Sequence, residues 1–309
     1  MTSEKTVKAD LHNHSTCSDG ELHPAEVVKQ AAAKGLEAVA LTDHDTISGL
    51  EEALAAGRQA GIEVIPATEL TLRMVRKEFT GSLHLLLFFR PEKLANRNFI
   101  KELEELFAAG RGPGLVRARV ENINRFFGPA GIRPRLKRAL TADELEELGD
   151  NLTRRHFAQV LEKNHGLKKK EIERIIGNRS PAYLPSGVDL QSFAIFRKRN
   201  SFLVFLAHPA AGSFPPPSHY REVLPPWPVV RKILPELLPP YPVALDGLEI
   251  EYPGHLAKHR RILRELAATR NLLVCGGSDG HDFRERPYGV CGIGEKDLAA
   301  LRKALARLI

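Results

Sequence analysis

The sequence predicts an α/β fold in which a parallel sheet or barrel is interrupted by a helical insertion. Over about the first 90 of the 309 residues, short apolar stretches alternate with helical stretches, which is typical of parallel sheets. Helical patterns dominate from residue 93 to residue 170, and strand–helix alternation returns near residue 202. We therefore expect the two outer regions to form one sheet or barrel around a common core.

Four strands and two helices are predicted in the N-terminal region. The strands cover residues 7–11, 38–42, 62–66 and 83–89. The first helix, 24–34, begins with Pro24, whose ring fixes a helical φ angle, and stops before Gly35. The second helix covers residues 47–60 and stops at Gly61, because glycine readily adopts the backbone conformation that ends a helix.

The middle of the chain is predicted to be a separate helical subdomain. Helical spacing of apolar residues covers 99–109, 116–127, 142–147 and 154–163, and the breaks between them are rich in glycine and proline. We assign residues 93–185 to this helical insertion, and residues 1–92 and 186–309 to the barrel.

Three further strands are predicted after the insertion, at 202–207, 245–252 and 272–275, with a helix at 256–267. Between the first two of these strands, residues 214–242 hold ten of the 21 prolines. Proline lacks a backbone N–H and disrupts regular helices and central strands. We therefore interpret this proline-rich segment, residues 214–242, as an extended lid or surface loop.

The composition limits the class of protein. Lys and Arg (45) outnumber Asp and Glu (38), and the net charge of +7 favours anionic partners such as phosphate esters or nucleic acid. A solvated basic surface explains the same charge equally well. Three cysteines are too few for a disulfide scaffold. The sequence has no apolar run of membrane-spanning length and its first residues are polar, so we expect a cytoplasmic protein without membrane contact.

Histidine and acidic side chains collect where the predicted strands end. His12 and His14 follow the first strand, and residues two apart in an extended chain face the same way, so their imidazoles can share a divalent metal ion. Asp10 has the same parity and is expected to orient one of the two rings. Asp19 follows in the same segment, and His84 lies near the beginning of the fourth strand. Similar residues lie where the other strands end: Asp43, His44, Asp45, Glu69, His208, Asp279 and His281.

Each of these residues has an ordinary structural explanation when it is taken alone. His84 could pack at a strand edge, Asp43 and Asp45 could cap the following helix, and Asp19 with Gly20 could form a turn. Taken together, however, six of the 12 histidines lie at predicted strand ends, most of them with carboxylates nearby. Polar side chains at one rim of a parallel α/β barrel are typical of a catalytic site.

Five ordered motifs resemble the PHP family, which is named for polymerase and histidinol phosphatase. They are DLHNHSTCSDG, ALTDHDT, PATEL, LAHP and SDGH, and they fall within residues 7–90 and 202–290. A segment of the insertion, LTRRHFAQVL, resembles one branch of this family. That branch includes metal-dependent phosphoesterases that act on nucleoside 3′,5′-bisphosphates and on the 5′ ends of short RNA.

The resemblance implies a distorted (β/α)7 barrel with a metal cluster at the carboxyl ends of its strands. One ion would be held by His12, His14, Glu69 and Asp279, and a second by Asp19, His44, His208 and His281. Glu69 would bridge to a third ion that also uses His84. Mixed imidazole and carboxylate ligands favour Mn²⁺, Fe²⁺ or Zn²⁺ over Mg²⁺, so we expect two or three such ions as cofactors.

We therefore expect a metal-dependent phosphoesterase in which metal-activated hydroxide attacks a phosphomonoester in line. Asp43 is a candidate for proton transfer, although it could instead orient a neighbour or cap a helix. The resemblance places Arg154, His156 and His255 near the substrate, although all three could equally lie on a solvated helix face or loop. The expected partner is a small phosphorylated metabolite or a short RNA, and no obligate protein partner is inferred.

Two other functions fit the sequence less well. A histidinol-phosphatase-like enzyme would share the metal site, but the insertion motif argues against it. A nucleic-acid-binding accessory protein with a structural metal site would not need the complete set of candidate ligands.

Overall fold

The computed structural model describes residues 6–148, 152–177, 179–216, 218–220 and 225–308. Its centre is a sheet of seven strands, as counted over these residues. The strands are β1 (Ala9–Asp10), β2 (Ala38–Leu41), β3 (Glu63–Val75), β4 (Thr80–Phe88), β5 (Leu203–Leu206), β6 (Gly247–Glu251) and β7 (Leu273–Gly276). Strands β2 and β5 are continuous apolar runs because both of their faces are buried.

The strands are hydrogen-bonded in chain order, from β1 to β7. Strands β1, β2 and β3 run parallel, as do β5, β6 and β7, whereas β4 is antiparallel to both of its neighbours. Just beyond β1, the N–H of Leu11 donates to the carbonyl of Gly276 at 3.1 Å, which links the two outer strands and nearly closes the barrel. The predicted distorted α/β barrel is confirmed.

The third strand is longer than the sequence pattern predicts. The pattern covers residues 62–66, but β3 continues to Val75 and pairs with β4 along its second half, up to Thr80. The two strands form an antiparallel hairpin instead of a β–α–β unit, and this reverses the direction of β4. The first half of β4, which carries His84, therefore lies at the same rim as the carboxyl ends of the parallel strands.

The helices lie on the outside of the barrel or form the insertion. In the described part of the chain they are α1 (Pro24–Ala33), α2 (Leu50–Ala60), α3 (Arg97–Arg111), α4 (Pro113–Phe127), α5 (Asp143–Glu146), α6 (Arg154–Lys163), α7 (Lys169–Ile176), α8 (Leu190–Arg199), α9 (Trp227–Ile233), α10 (Ala257–Arg270) and α11 (Glu295–Ala306). The sequence analysis does not predict α7, α8, α9 or α11. Gly61 ends α2 as predicted, with a φ of +70° that few other residues adopt. None of these helices combines the length and the apolar character needed to cross a bilayer.

Two hydrophobic clusters occupy the two sides of the sheet. The inner cluster combines small residues such as Ala9, Ala40 and Ala67 with Phe88 and Phe205, whose rings meet edge to face with centroids 5.3 Å apart. The outer cluster packs the opposite faces of the strands against the surrounding helices. Successive side chains of a strand point to opposite faces, so strands β2, β3, β4 and β5 contribute to both clusters. This packing fixes the strand ends from which the polar side chains of the rim project.

The helical insertion has a hydrophobic core of its own. Apolar residues of α4, α6 and α7 pack together there, among them Val116, Phe157 and Ile175. Helix α3, in contrast, places Phe99 and Leu103 in the outer cluster of the barrel. The separately packed part thus begins near the start of α4, while the assignment of residues 93–185 to one subdomain stays a prediction.

The interpretation of the proline-rich segment as a lid or surface loop is wrong for residues 225–242. This stretch contains α9 and a 3-10 helix, Leu234–Leu237, and it buries Trp227 and Val230 in the outer cluster of the barrel. Pro226 and Pro228 lie just before and within the first turn of α9, where a missing N–H leaves no helical hydrogen bond unmade. Residues 217 and 221–224 of the segment lie outside the described residues.

Candidate metal centre

The structure brings all nine predicted metal ligands to one rim of the barrel. His12 and His14 follow β1, and His44 follows β2. The remaining six come from the loop after His14, from strands β3 and β4, and from the segments after β5 and β7: Asp19, Glu69, His84, His208, Asp279 and His281. Parallel strands end at the same edge of a barrel, which is why residues far apart in the chain meet there.

Glu69 is the centre of this cluster. Its Oε2 lies 3.3 Å from His12 Nε2, 3.2 Å from His14 Nε2 and 3.0 Å from His44 Nδ1. Its Oε1 lies 3.0 Å from His84 Nδ1. The carboxylate is fully buried, so these imidazoles are its immediate surroundings. A buried carboxylate shared in this way can bridge neighbouring cations.

Three groups of side chains have the spacing of metal ligands, each with its ligand atoms within 4.8 Å of one another. The groups are His12, His14, Glu69 and Asp279; His14, Asp19, His44 and His281; and His44, Glu69 and His84. The first group matches the set expected for one ion. The second contains His14 in the place where the resemblance implies His208.

His208 lies on the Glu69 side of the cluster. Its Nε2 is 3.1 Å from Glu69 Oε1, and its ring is close to those of His12 and His84, with centroids 5.6 Å and 5.3 Å away. His208 therefore lies beside Glu69 and His84 and is not in the group of His14, Asp19, His44 and His281. The division of ligands among the ions stays a prediction.

The buried ligand atoms fit divalent cations. Buried polar atoms are nearly always hydrogen-bonded. Yet several buried atoms of the candidate ligands make no hydrogen bond within the described part of the chain, among them His12 Nε2, His14 Nε2, Asp19 Oδ1, Glu69 Oε2 and His84 Nδ1. Burial lowers the pKa of His14, but the carboxylates of Asp279 and Glu69 raise it to about 9, so the site attracts positive charge. The imidazole and carboxylate donors suit Mn²⁺, Fe²⁺ or Zn²⁺.

Glu249 orients an imidazole of the cluster, a role that the sequence analysis assigns to Asp10. The sequence analysis does not identify Glu249. His12 Nδ1 lies 3.0 Å from Glu249 Oε1, and the backbone N–H of His208 donates to Glu249 Oε2 at 2.7 Å. Asp10 instead accepts from the backbone N–H groups of Ser278 and Gly289, both at 2.9 Å. The expectation that Asp10 orients an imidazole is therefore wrong. The available signal for Glu249 is a carboxylate between the apolar Leu248 and Ile250 of a predicted strand.

Asp279 is held from its outer side by two further residues that the sequence analysis misses. The hydroxyl of Tyr252 donates to Asp279 Oδ2 at 3.0 Å, and the guanidinium of Arg286 donates to the same oxygen. The other oxygen, Oδ1, lies 3.2 Å from His14 Nε2. Burial opposes ionisation, but Arg286 holds the pKa of Asp279 well below its usual range. Asp279 is therefore an anion that presents one oxygen to the cluster.

The contacts of Asp43 are those of a residue that positions a loop. Its Oδ1 accepts from the backbone N–H of Ser15 at 2.7 Å and from the Ser18 hydroxyl, and its Oδ2 accepts from the Ser15 hydroxyl at 2.6 Å. These donors belong to the loop that joins His14 to Asp19. The geometry favours holding this loop over the proton-transfer role suggested for Asp43.

His255 and His156 form hydrogen bonds with backbone groups. His255 Nδ1 lies 3.0 Å from the carbonyl of Ile250, and Nε2 accepts from the N–H of Ala210 at 3.1 Å. His255 therefore fixes the turn that follows His208 and has no ring nitrogen left for a substrate. His156 Nδ1 accepts from the N–H of Thr153 at 2.9 Å and so helps to begin α6.

A cavity of about 590 Å³ lies between the barrel rim and the insertion. Its wall includes the candidate ligands Asp19, His44, His84 and His281. The wall also carries six cationic side chains: Arg111, Arg119, Arg154, Arg155, Lys169 and Arg286. The wall carboxylates other than Asp19 are Glu162, Glu173 and Glu285, so cations predominate. Of the three predicted substrate residues, Arg154 is part of the wall, whereas His156 and His255 have the backbone contacts described above.

A family model described as PHP domain matches residues 10–168, just over half of the chain. The chain belongs to the PHP domain family. The match starts at the first candidate ligands and extends through most of the insertion. The family predicted from the motifs is therefore confirmed.

Three curated relatives of this PHP domain protein illustrate the range of similarity. A 5′-3′ exoribonuclease of Haemophilus influenzae is 52% identical over 66 residues, which are 21% of this chain and 24% of that protein. A 3′,5′-nucleoside bisphosphate phosphatase of Chromobacterium violaceum is 48% identical over 63 residues, 20% of this chain and 22% of that protein. A phosphoribosyl 1,2-cyclic phosphate 1,2-diphosphodiesterase of Eggerthella lenta is 28% identical over 289 residues, 88% of this chain and 93% of that protein. The matched parts thus span about a quarter of the first two relatives and nearly all of the third.

The PHP domain protein shares its fold with a solved structure from Bifidobacterium adolescentis that is described as a metal-dependent phosphoesterase. The two align with a TM-score of 0.71 and 24% identity, over 97% of this chain and 98% of the other. Together with the family match, these similarities indicate a hydrolytic enzyme of the metal-dependent phosphoesterase class.

Proposed function

We propose that this PHP domain protein hydrolyses phosphate esters of small nucleotides, with nucleoside 3′,5′-bisphosphates or the 5′ ends of short RNA as substrates. The observation that carries the proposal is a buried cluster of histidines and carboxylates at one end of a cavity whose wall is otherwise rich in arginine. A cluster of this composition suits divalent cations, and a cationic cavity attracts phosphate.

The residues that would hold the ions are the nine candidate ligands at the barrel rim. Divalent ions bound there would polarise the phosphoryl group and lower the pKa of an attacking water. Glu249 keeps the Nε2 atom of His12 directed at Glu69 and Asp279, and Asp43 keeps Asp19 in place through the loop that carries it. The chain therefore supplies orientation and negative charge for the cluster.

The arginines of the cavity would bind and orient the substrate. A guanidinium can donate two parallel hydrogen bonds to a phosphate, which fixes orientation better than the single ammonium of lysine. Arg154 lies in the wall of the cavity with its guanidinium 5.5 Å from the centre of the Tyr183 ring. This contact limits the conformations of Arg154 and keeps it beside the cavity. The insertion also covers the rim, which limits access of bulk water to the reacting group.

A second candidate reaction is the opening of a cyclic phosphate diester. It is favoured by the Eggerthella lenta relative, because that alignment extends over most of this chain and of that protein. The same cluster and the same cationic cavity serve this reaction, which differs in the ester bond that is broken.

The proposed function is tested with purified protein freed of metals and then supplied with Mn²⁺, Fe²⁺, Zn²⁺ or Mg²⁺. Phosphate release or product formation is measured with adenosine 3′,5′-bisphosphate, 5′-phosphorylated RNA dinucleotides, histidinol phosphate and ribose 5-phosphate 1,2-cyclic phosphate. We expect turnover of one of the first two substrates with Mn²⁺, Fe²⁺ or Zn²⁺, and no turnover in the metal-free protein. Preferential turnover of the cyclic phosphate would support the second candidate. RNA binding without turnover of any substrate would contradict both and favour the accessory role.

The variant His12→Ala tests whether the cluster is the active centre. We expect metal content and turnover to fall together, because His12 Nε2 lies 3.3 Å from Glu69 Oε2 and 3.5 Å from Asp279 Oδ1. The matched control is His23→Ala, which removes an exposed histidine at the start of α1. Full turnover and unchanged metal content in His12→Ala would refute the assigned role of His12.

A further inference from the structure

We propose that Asp282 is a positioning residue that couples the helical insertion to the metal centre. One oxygen of its carboxylate holds the loop of residues 282–286, which follows the candidate ligand His281, and the other oxygen holds Arg155 at the start of α6. The inference deepens the proposed function, because it rests on the use of the cluster as a metal centre. Asp282 is not among the candidate ligands or the described residues of the cavity wall.

The carboxylate of Asp282 organises the loop 282–286 from within. Asp282 is buried, and its Oδ1 accepts from the backbone N–H groups of Arg284, Glu285 and Arg286 at 2.8, 2.5 and 3.1 Å. The carbonyl of Arg286 in turn accepts from the backbone N–H of His281 at 2.8 Å. An aspartate that accepts from backbone N–H groups a few residues later in the chain stabilises a tight turn. These contacts fix the position of Arg286 relative to His281.

Arg286 connects this loop to the metal cluster. Its guanidinium donates to Asp279 Oδ2, and its Nε and Nη2 donate to the backbone carbonyl of His219 at 2.9 Å and 2.6 Å. Asp279 has a φ of +50°, which is uncommon for residues other than glycine, so contacts with neighbouring side chains are needed to keep it in place. A shift of the loop would therefore change the direction in which Asp279 presents its other oxygen to the cluster.

Arg155 extends the contact of Asp282 to the insertion. Its Nη2 lies 3.3 Å from Asp282 Oδ2, although 42% of the Arg155 side chain is exposed. Arg155 follows Arg154 in the first turn of α6, and both residues line the cavity. A second and more exposed pair reaches the same loop, because Lys169 Nζ at the start of α7 lies 3.9 Å from Glu285 Oε1. The loop 282–286 is thus a place where the insertion is attached to the barrel rim.

This attachment has one consequence on each side. On the cluster side, a fixed loop keeps Asp279 Oδ1 at 3.2 Å from His14 Nε2. On the insertion side, a fixed first turn of α6 keeps Arg154 beside the cavity before the substrate binds, so less conformational freedom is lost on binding. Because Oδ1 of Asp282 serves the loop and Oδ2 serves Arg155, the two consequences can be tested separately.

Two substitutions of Asp282 separate its two contacts. Asp282→Asn keeps an oxygen for the N–H groups of the loop but loses the charge that holds Arg155, whereas Asp282→Ala loses both. The matched control is Arg284→Gln, which changes an exposed side chain of the same loop. Steady-state kinetics are measured with Mn²⁺ and whichever of the four esters named above the wild type turns over. The visible absorption of Co²⁺ bound to the cluster reports the geometry of the ligands.

We expect Asp282→Asn and Arg155→Gln to raise KM about 3- to 10-fold, with kcat and the Co²⁺ spectrum close to those of the wild type. Asp282→Ala should raise KM by a similar factor, and it should also lower kcat about 10-fold and change the Co²⁺ spectrum, because Asp279 is no longer held in place. A residue that only stabilises the fold would not separate KM from kcat in this way. If Asp282→Ala does not fold, Asp282→Glu takes its place, because it keeps the charge but moves the carboxylate away from the N–H groups.

The double variant that combines Arg155→Gln with Asp282→Asn tests whether Arg155 acts through Asp282. If it does, the KM of the double variant should equal that of either single variant, because residues that act through one contact are not additive. Hydrogen exchange of the α6 amides gives a readout that does not depend on turnover. Exchange should be faster in both single variants than in Arg284→Gln.

Two independent effects on KM that multiply in the double variant would overturn the inference. Wild-type KM and wild-type hydrogen exchange in Asp282→Asn would also overturn it, as would an unchanged Co²⁺ spectrum in Asp282→Ala. Wild-type protein that binds no Co²⁺ and turns over none of the four esters would instead contradict the proposed function. In that case hydrogen exchange still decides whether Asp282 holds the insertion.

Discussion

Glu249 and His12 form a buried pair in which Oε1 of the carboxylate lies 3.0 Å from Nδ1 of the imidazole. With the proton on Nδ1, the lone pair of Nε2 faces Glu69 and Asp279, which is the orientation a metal ligand needs. The other oxygen of Glu249 accepts from the backbone N–H of His208. One carboxylate thus positions two candidate ligands, which follow β1 and β5.

The variant Glu249→Gln is expected to weaken metal binding about 10- to 100-fold, because residues that orient metal ligands contribute effects of this size. Metal affinity is measured by competition with a chromogenic chelator, and metal content by mass spectrometry. The control is Glu251→Gln, two residues along the same strand, where the carboxylate pairs with Arg264. Unchanged metal affinity in Glu249→Gln would show that His12 does not depend on this contact.

The variant Asp43→Asn separates a positioning role from proton transfer. Because Asp43 holds the loop between His14 and Asp19, we expect weaker metal binding and a lower kcat, with an unchanged shape of the pH profile. Saturating metal should restore much of the lost activity. The control is Asp143→Asn at an exposed position of the insertion. Loss of one limb of the pH profile at saturating metal would instead identify Asp43 as a proton-transfer group.

His255 makes the stability of the fold depend on pH. Burial lowers the pKa of its imidazole to about 3, whereas the ordinary value is 6.5. The unfolded chain therefore takes up a proton below pH 6.5 that the folded chain takes up only near pH 3. The stability that neutral His255 contributes is present above pH 6.5 and is lost as the pH falls toward 3, by about 1.4 kcal/mol per pH unit.

This prediction is checked by urea unfolding of the wild type and of His255→Gln between pH 7 and pH 4. The difference in the free energy of unfolding between the wild type and the variant should shrink as the pH falls. The reason is that the wild type takes up as much as one more proton than the variant when it unfolds. His23→Gln, at an exposed position, serves as control. A constant difference in the free energy of unfolding across this range would contradict the predicted role of His255.

Trp227 tests whether the second half of the proline-rich segment belongs to the core. Its side chain is 7% exposed and packs in the outer cluster of the barrel, so Trp227→Ala should lower the free energy of unfolding by about 3–5 kcal/mol. Tyr241→Ala, in the same segment but 51% exposed, should change it by less than about 1 kcal/mol. Both are measured by chemical denaturation. If both variants lowered the free energy of unfolding by the same small amount, residues 225–242 would be better described as a surface loop.

The sequence predicts the elements that depend on local patterns and misses those that depend on context. Gly61 ends α2 as expected because its conformation is a local property. The length of β3 and the direction of β4 are missed, because a hairpin and a β–α–β unit begin with the same apolar strand. Helix α9 is missed because proline density alone does not show that Pro226 and Pro228 lie at a helix start.

By itself, the sequence determined the family, the barrel class and the nine side chains that meet at the rim. Short motifs suffice for this, since the ligands lie within the strands or in the segments that follow them. Only the tertiary structure decided which residues hold those ligands and what else lines the cavity. Glu249 is 237 residues from His12, and Arg119 meets the cavity only after the insertion folds back on the barrel rim. Contacts between distant residues depend on packing, and no local pattern encodes them.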